Sequence, residues 1–257
     1  MGNVAVNGVT DVELARQIAV DAGVLLCDVR ATAEHSGKAL GDQGDAQANR
    51  LIIDRLREAR PDDFVLSEES TDDRTRCSAQ RVWIVDPLDG TREYAEGRDD
   101  WAVHIALSID GRPDAAAVSL PATARVLTTD DAPPAYGPIP AAPRMVVSRS
   151  RPHAVTLHVA TAIGAELLPM GSAGAKAMAV VDGIADAYLH DGGQYEWDNC
   201  APAAVAMAAG LHASRIDGSP LVYNCENPFL PDLLICRREL AGPILAEIRA
   251  YKASTPD

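Results

Sequence analysis

Behind Thr10-Asp11-Val12-Glu13, apolar residues recur every three or four positions, at Leu14, Ile18, Ala22, Leu25 and Val29. That period lines one face of a helix, and Thr10 three residues before Glu13 has capping-box spacing, so a helix is expected over residues 11–30. A second is expected over 46–59, with Leu51, Ile52 and Leu56 on its apolar side and Pro61 just beyond its end. Phe64-Val65-Leu66 reads as a short strand, and the unbroken run Val82-Trp83-Ile84-Val85 as a buried one. Pro87 has no backbone N–H for a central strand, so the chain is expected to turn there. From Ala102 to Ile109 the pattern alternates: Val103, Ile105, Leu107 and Ile109 face one way, and Ala102, His104, Ala106 and Ser108 the other. That is a strand, and Asp110-Gly111 signals a hairpin. Further strands are expected over 115–120 and 125–129.

Residues 130–143 carry Pro133, Pro134, Pro138, Pro140 and Pro143, which suits a linker between subdomains over 1–135 and 144–257. Beyond it, strands are expected over 145–147, 187–189, 222–223 and 233–236. Helices are expected over 152–163, 173–182, 199–209 and 239–251. The first half therefore reads as helices with a mainly antiparallel sheet, and the second as α/β.

The chain has 257 residues, 47% of them hydrophobic, enough for a large core. Its formal net charge of -14 repels nucleic acid and anionic membranes, so neither is an expected partner. It also repels a phosphorylated ligand unless bound cations reverse the local field. Five scattered cysteines without a C-x-x-C pair argue against a disulfide framework and a zinc site, and point to a reducing cytoplasm. Neither a signal peptide nor a membrane-spanning run is apparent.

The candidate chemistry lies in three acidic islands. Glu68-Glu69 follows one strand, Asp86-Pro87-Leu88-Asp89-Gly90-Thr91 follows another, and Asp198 opens the helix after Glu196-Trp197. Each island read by itself fits solvated turn residues or helix caps. Together they supply the hard oxygen ligands that Mg²⁺ prefers. Two ions about 4 Å apart hold the attacking water and leaving oxygen of a phosphate ester. Asp86 is placed to bridge them, Glu68 to complete one shell, and Asp89 and Asp198 the other. Thr91 is a candidate to orient a water or simply a helix-start hydroxyl. The Gly90 and Thr91 amides suit phosphate oxygens. Asp45 by itself reads as an N-cap. Gly171-Ser172-Ala173-Gly174 is an amide-rich turn or a packing loop, and Lys176 either meets a second anion or faces water. His104 reads as a satisfied structural histidine.

The set Asp45, Glu68-Glu69, Asp86 to Thr91 and Trp197-Asp198-Asn199-Cys200-Ala201 resembles the inositol-monophosphatase-like superfamily of Mg²⁺-dependent, lithium-sensitive phosphatases. The resemblance runs in order along nearly the whole chain. It implies an α+β, α/β fold layered as an α/β/α/β/α sandwich, about two or three Mg²⁺ ions, and in some members a homodimer. It further implies metal ligation by Glu68, Asp86, the Leu88 carbonyl, Asp89 and Asp198. Asp45 and Thr91 would activate the water, and the Gly90 and Thr91 amides would hold phosphate.

Leu66-Ser67-Glu68-Glu69, Asp89 to Tyr94, Gly97 to Trp101, Gly171 to Lys176 and Gly193 to Asp198 look most like the CysQ branch, which are 3′-phosphoadenosine 5′-phosphate phosphatases. In the inositol enzymes a glutamate seven residues before the W-D aspartate contacts the sugar; here that position is the shorter Asp191. The expected reaction is hydrolysis of the 3′-phosphate to AMP and phosphate, with Arg92 and Lys176 neutralising the other phosphate and Gly171, Ser172 and Asp198 also touching substrate. The alternatives are an inositol monophosphate or fructose 1,6-bisphosphate substrate, or a non-catalytic metal-binding module. A phospho-aspartate mechanism of the D-x-D-G-T type is rejected, because Pro87 stands where its nucleophile belongs.

Overall fold

The computed structural model describes residues 8–72 and 74–255. Helix α1 (Asp11–Thr32) starts as its capping residues predict, the Thr10 hydroxyl accepting the Glu13 N–H. Helix α2 (Lys38–Ala59) begins well before the expected residue 46. Gly41 and Gly44 in its early turns lower helix propensity and hid that start. Both are needed for close approach: a Cβ on Gly41 would stand 2.5 Å from Thr91 Cγ2, and one on Gly44 would stand 3.1 Å from Leu26 and Tyr94 side-chain atoms.

The first sheet orders β1 (Phe64–Ser67), β2 (Arg81–Asp89), β3 (Ala102–Ile109), β4 (Arg112–Leu120) and β5 (Arg125–Thr128) as in the sequence. β1 and β2 are parallel, and the remaining pairs are antiparallel. The β3–β4 hairpin turns through Asp110 and Gly111 at φ 50° and 75°, the left-handed pair such a turn requires. Pro87 does not end its strand. β2 runs on to Asp89 with a register shift between Asp86 and Asp89, a bulge that accommodates the missing N–H. The short helix α3 (Thr91–Ala95) follows directly.

Residues 129–143 hold no helix or strand. The second sheet comprises β6 (Arg144–Ser148), β7 (Glu166–Met170), β8 (Ala187–His190), β10 (His212–Ser214) and β12 (Leu233–Cys236), in the order β10-β12-β8-β6-β7. β6 is parallel to both β7 and β8. β9 (Gln194–Tyr195) and β11 (Phe229–Leu230) form a separate ribbon. β7 gives no alternation signal because it is a poorly buried edge strand, where Pro169 is tolerated. The strand expected at 222–223 is irregular: Tyr223 is buried by donating its N–H to Gly111 and its hydroxyl to Asn199, outside any sheet. Helices α4 (Ala154–Ala162), α5 (Ala173–Val181), α6 (Glu196–Ala208) and α7 (Arg238–Ser254) complete the chain.

α1 and α2 cover one face of the first sheet, where Ile18, Leu26 and Ile52 meet Trp83, Val103 and Ile105. Its other face, with Ala102, Ala106 and Val118, packs on α5 and α6 through Met178, Ala201 and Val205. The second sheet closes over α5 and α6, and α4 and α7 cover its far side around Met145, Leu234 and Ile244. The result is the expected α/β/α/β/α sandwich. The small face of β3 is small because α5 and α6 approach it closely. No helix among the described residues is long and apolar enough to cross a membrane.

Candidate metal centre

The bulged end of β2 and the first turn of α6 bring three carboxylates together. One oxygen each from Asp86, Asp89 and Asp198 lies within 4.8 Å of the others. Asp86 is buried and accepts the Leu88 N–H at 3.0 Å. Asp198 stands at the third helical position rather than at the N-cap, and one of its oxygens accepts the Tyr195 N–H at 2.6 Å. Asp89 reaches across to the start of α5, where it accepts the Ser172 hydroxyl and the N–H groups of Ala173 at 3.1 Å and Gly174 at 2.6 Å.

Asp45 lies inside α2 rather than capping it, 6% exposed. Thr91 Oγ1 is 3.1 Å from Asp45 Oδ2 and 3.1 Å from the Leu88 carbonyl. Asp45 Oδ1 is buried without a hydrogen-bond partner. Glu68 is exposed at the mouth of the cluster and lies outside the close trio. Gly90 has φ 88°, and a Cβ there would stand 3.1 Å from Ser172 Cβ, so glycine lets the two halves meet. Arg92 is exposed and donates to Ser150 Oγ at 3.1 Å. Gly171 donates its N–H to Asp100 at 2.6 Å. Lys176 is buried, not on an exposed helix face, with its ammonium on the Gly171 and Ser172 carbonyls.

Crowding drives the electrostatics. Burial, then the charges of Glu69 and Glu68, push Asp45 up to about 8, against the Thr91 hydrogen bond. Burial and the surrounding carboxylates raise Asp86 well above its ordinary value. Burial and the Asp89 charge lift Asp198 to about 6. Partial enclosure of its carboxyl, then the Asp198 and Asp89 charges, lift Glu68 to about 7, a shift that water screens because the residue as a whole is exposed. Asp89 goes the other way. Burial would raise it, but His104, Ser172 and Lys176 outweigh that and hold it below the usual carboxylate range. An all-oxygen donor set, mutually repelling carboxylates and the orphaned Asp45 oxygen fit a divalent cation.

His104 is a member of this site, not a bystander on β3. It is fully buried, with Nδ1 3.0 Å from the Trp197 carbonyl and Nε2 3.3 Å from Asp89 Oδ2, the latter without hydrogen-bond alignment. A Cβ on Gly174 would stand 2.1 Å from its Nε2. The available sequence signal was a lone imidazole among alanines on that face. A cleft of about 250 Å³ runs from Asp89 and Asp198 past Gly171 and Lys176 to Arg92, Glu93, Arg149 and His190.

The sequence matches the model of the inositol monophosphatase family over residues 10–253. A protein of Mycobacterium bovis named 3′-phosphoadenosine 5′-phosphate phosphatase is 53% identical over 240 residues, covering 89% of each chain. An Escherichia coli protein named 3′(2′),5′-bisphosphate nucleotidase CysQ is 32% identical over 205 residues, 72% of this chain and 80% of that one. The crystal structure of CysQ from Bacteroides thetaiotaomicron superposes with a TM-score of 0.78 at 24% identity, over 89% of this chain and 97% of the other.

Proposed function

Since the chain belongs to the inositol monophosphatase family, we propose that it is a Mg²⁺-dependent phosphatase that hydrolyses 3′-phosphoadenosine 5′-phosphate to AMP and phosphate. The observation that carries this reading is the convergence of Asp86, Asp89 and Asp198 from distant segments onto one spot beside Thr91 and Asp45. The M. bovis relative's name supports the nucleotide substrate, and Asp191, in place of the glutamate of the inositol enzymes, agrees with it.

In this reading Asp86, Asp89, Asp198, Glu68 and the Leu88 carbonyl hold the cations. When bound, these supply charge that polarises the phosphate ester and acidifies water. Thr91 accepts a proton from the attacking water while passing its own to Asp45 Oδ2. Asp45 suits that task because burial and the neighbouring acids raise its proton affinity, its pKa lifted to about 8, and bound cations would lower that value so that the carboxylate is ionised and able to accept. The Gly90 and Thr91 amides receive phosphate oxygens. Ser172 and His104 keep Asp89 ionised and fixed. Residues 1–135 supply most of the ligands and 144–257 supply Asp198 and the far wall of the cleft.

The test is phosphate release from 3′-phosphoadenosine 5′-phosphate, inositol 1-phosphate and fructose 1,6-bisphosphate, with Mg²⁺ and after chelation. Mg²⁺-dependent turnover with the highest kcat/KM on the nucleotide is expected. A large preference for either sugar phosphate would remove the nucleotide assignment, and release from none would remove the enzyme.

A further inference from the structure

We propose that Arg149, with Arg92 beside it, receives the second phosphate of a bisphosphate substrate and so selects bisphosphates over monophosphates. The inference rests on the phosphatase reading above. The cleft runs onto the carboxyl ends of three parallel strands, where Ser148 of β6, Met170 of β7 and His190 of β8 line it. In open α/β sheets that edge is where ligands lie. A substrate with its ester phosphate at the carboxylate trio therefore extends its remaining part over these strand ends.

The lysine and arginines lining the cleft are Arg92, Arg149 and Lys176. Lys176 is spent on two carbonyls beneath the 171–172 turn. His190 brings no charge, because burial pushes its pKa down to about 4. That leaves the arginines. Arg149 donates from Nε to Glu93 at 2.9 Å and from Nη2 to Glu96 at 2.5 Å, and its Nη1 makes no hydrogen bond among the described residues. Arg92 Nη2 donates to Ser150 Oγ at 3.1 Å and weakly to Glu93 at 3.4 Å.

Glu93 and Glu96 offset part of the positive charge, and they also fix the guanidinium. Glu93 is 5% exposed and packs over Gly171, where a Cβ would stand 2.2 Å from its Cγ, so it cannot swing away. A pre-oriented guanidinium edge next to serine hydroxyls is a phosphate receptor.

The experiment compares kcat and KM on 3′-phosphoadenosine 5′-phosphate and on 3′-AMP, which lacks the second phosphate, for wild type, Arg149→Met, Arg149→Lys and Arg92→Met. Wild type is expected to favour the bisphosphate, and Arg149→Met to lower the ratio of the two kcat/KM values about 10- to 100-fold, chiefly through KM. Arg149→Lys keeps the charge without the fork and is expected to lose less. It carries the test if the methionine variant does not fold. A wild type that hydrolyses both esters equally well, or arginine variants that keep the wild-type ratio, would overturn this inference while leaving the phosphatase standing. A wild type inactive on both nucleotides would sink the phosphatase reading and this inference with it.

Discussion

Asp86 and Asp89 sit three residues apart on one strand, yet their surroundings push them in opposite directions. Asp86 is buried among Glu68, Asp89, Asp198 and Asp45, and its charged form is disfavoured. Asp89 is just as enclosed but accepts three hydrogen bonds from the start of α5 and faces His104, so it stays a carboxylate. Asp86 is thus the carboxylate whose burial a bound cation would compensate most. Replacing it separates function from folding. Asp86→Ala is expected to lower phosphate release by about 10³-fold or more. It loses one hydrogen bond to Leu88 N, worth about 1 kcal/mol, but also relieves like-charge repulsion. Its melting temperature in chelator should therefore equal or exceed that of wild type. Near-normal turnover would make the metal assignment untenable.

At the scale of elements, what could be read in the sequence follows from what was local. The capped start of α1 and the Asp110-Gly111 hairpin are decided by neighbouring residues, and Glu68, Asp89 and Asp198 sit at or near element ends where an acid is conspicuous, whereas Asp45 lies within α2. The early turns of α2, the persistence of β2 through Pro87 and the roles of His104 and Asp100 depend on partners far along the chain. His104 meets Trp197 across 93 residues, and Asp100 meets Gly171 across 71. Gly41 shows how such a partner overrides propensity, and it gives a test. Gly41→Ala gains about 1 kcal/mol of helix propensity. Its methyl also intrudes on Thr91 Cγ2, at a cost of about 1–3 kcal/mol unless α3 moves. Movement of α3 displaces Thr91 from Asp45. Stability should therefore change little, while kcat falls about tenfold or more, since small displacements of a reacting group are costly. If kcat stays within about twofold, α2 does not position Thr91.

For the molecule as a whole, the acidic centre is a stability defect that metal should repair, and its pH dependence has a definite sign. Asp45, Asp86, Glu68 and Asp198 all have folded-state pKa values above their ordinary ones, reaching about 8 for Asp45, about 7 for Glu68 and about 6 for Asp198. Between about pH 4 and pH 8 these four groups thus hold more protons in the native protein than in the unfolded chain, and their contribution to stability falls as pH rises through that window. His104, raised by Asp89 against its burial, contributes in the same direction. Asp89, held below the usual range, acts oppositely below about pH 4, where carboxylates titrate, and His190 and His212, both pushed down by burial, oppose the trend between about pH 4 and pH 6.5. Solvent screens the exposed Glu68, so the buried aspartates carry most of the effect. In chelator the melting temperature should drop on the order of 5 °C from pH 5 to pH 8. Saturating Mg²⁺ should restore most of the loss at pH 8 and little at pH 5, where protons already occupy the site. The general repulsion of a chain of net charge -14 also grows with pH, and the Asp45→Asn, Asp86→Asn double variant separates the two causes. Its stability in chelator should fall less steeply across the window than that of wild type, the remaining slope coming from Asp198, Glu68, His104 and the general repulsion, and should respond far less to Mg²⁺. A double variant with the wild-type slope would place the titration elsewhere on the surface and remove the acidic centre as its source.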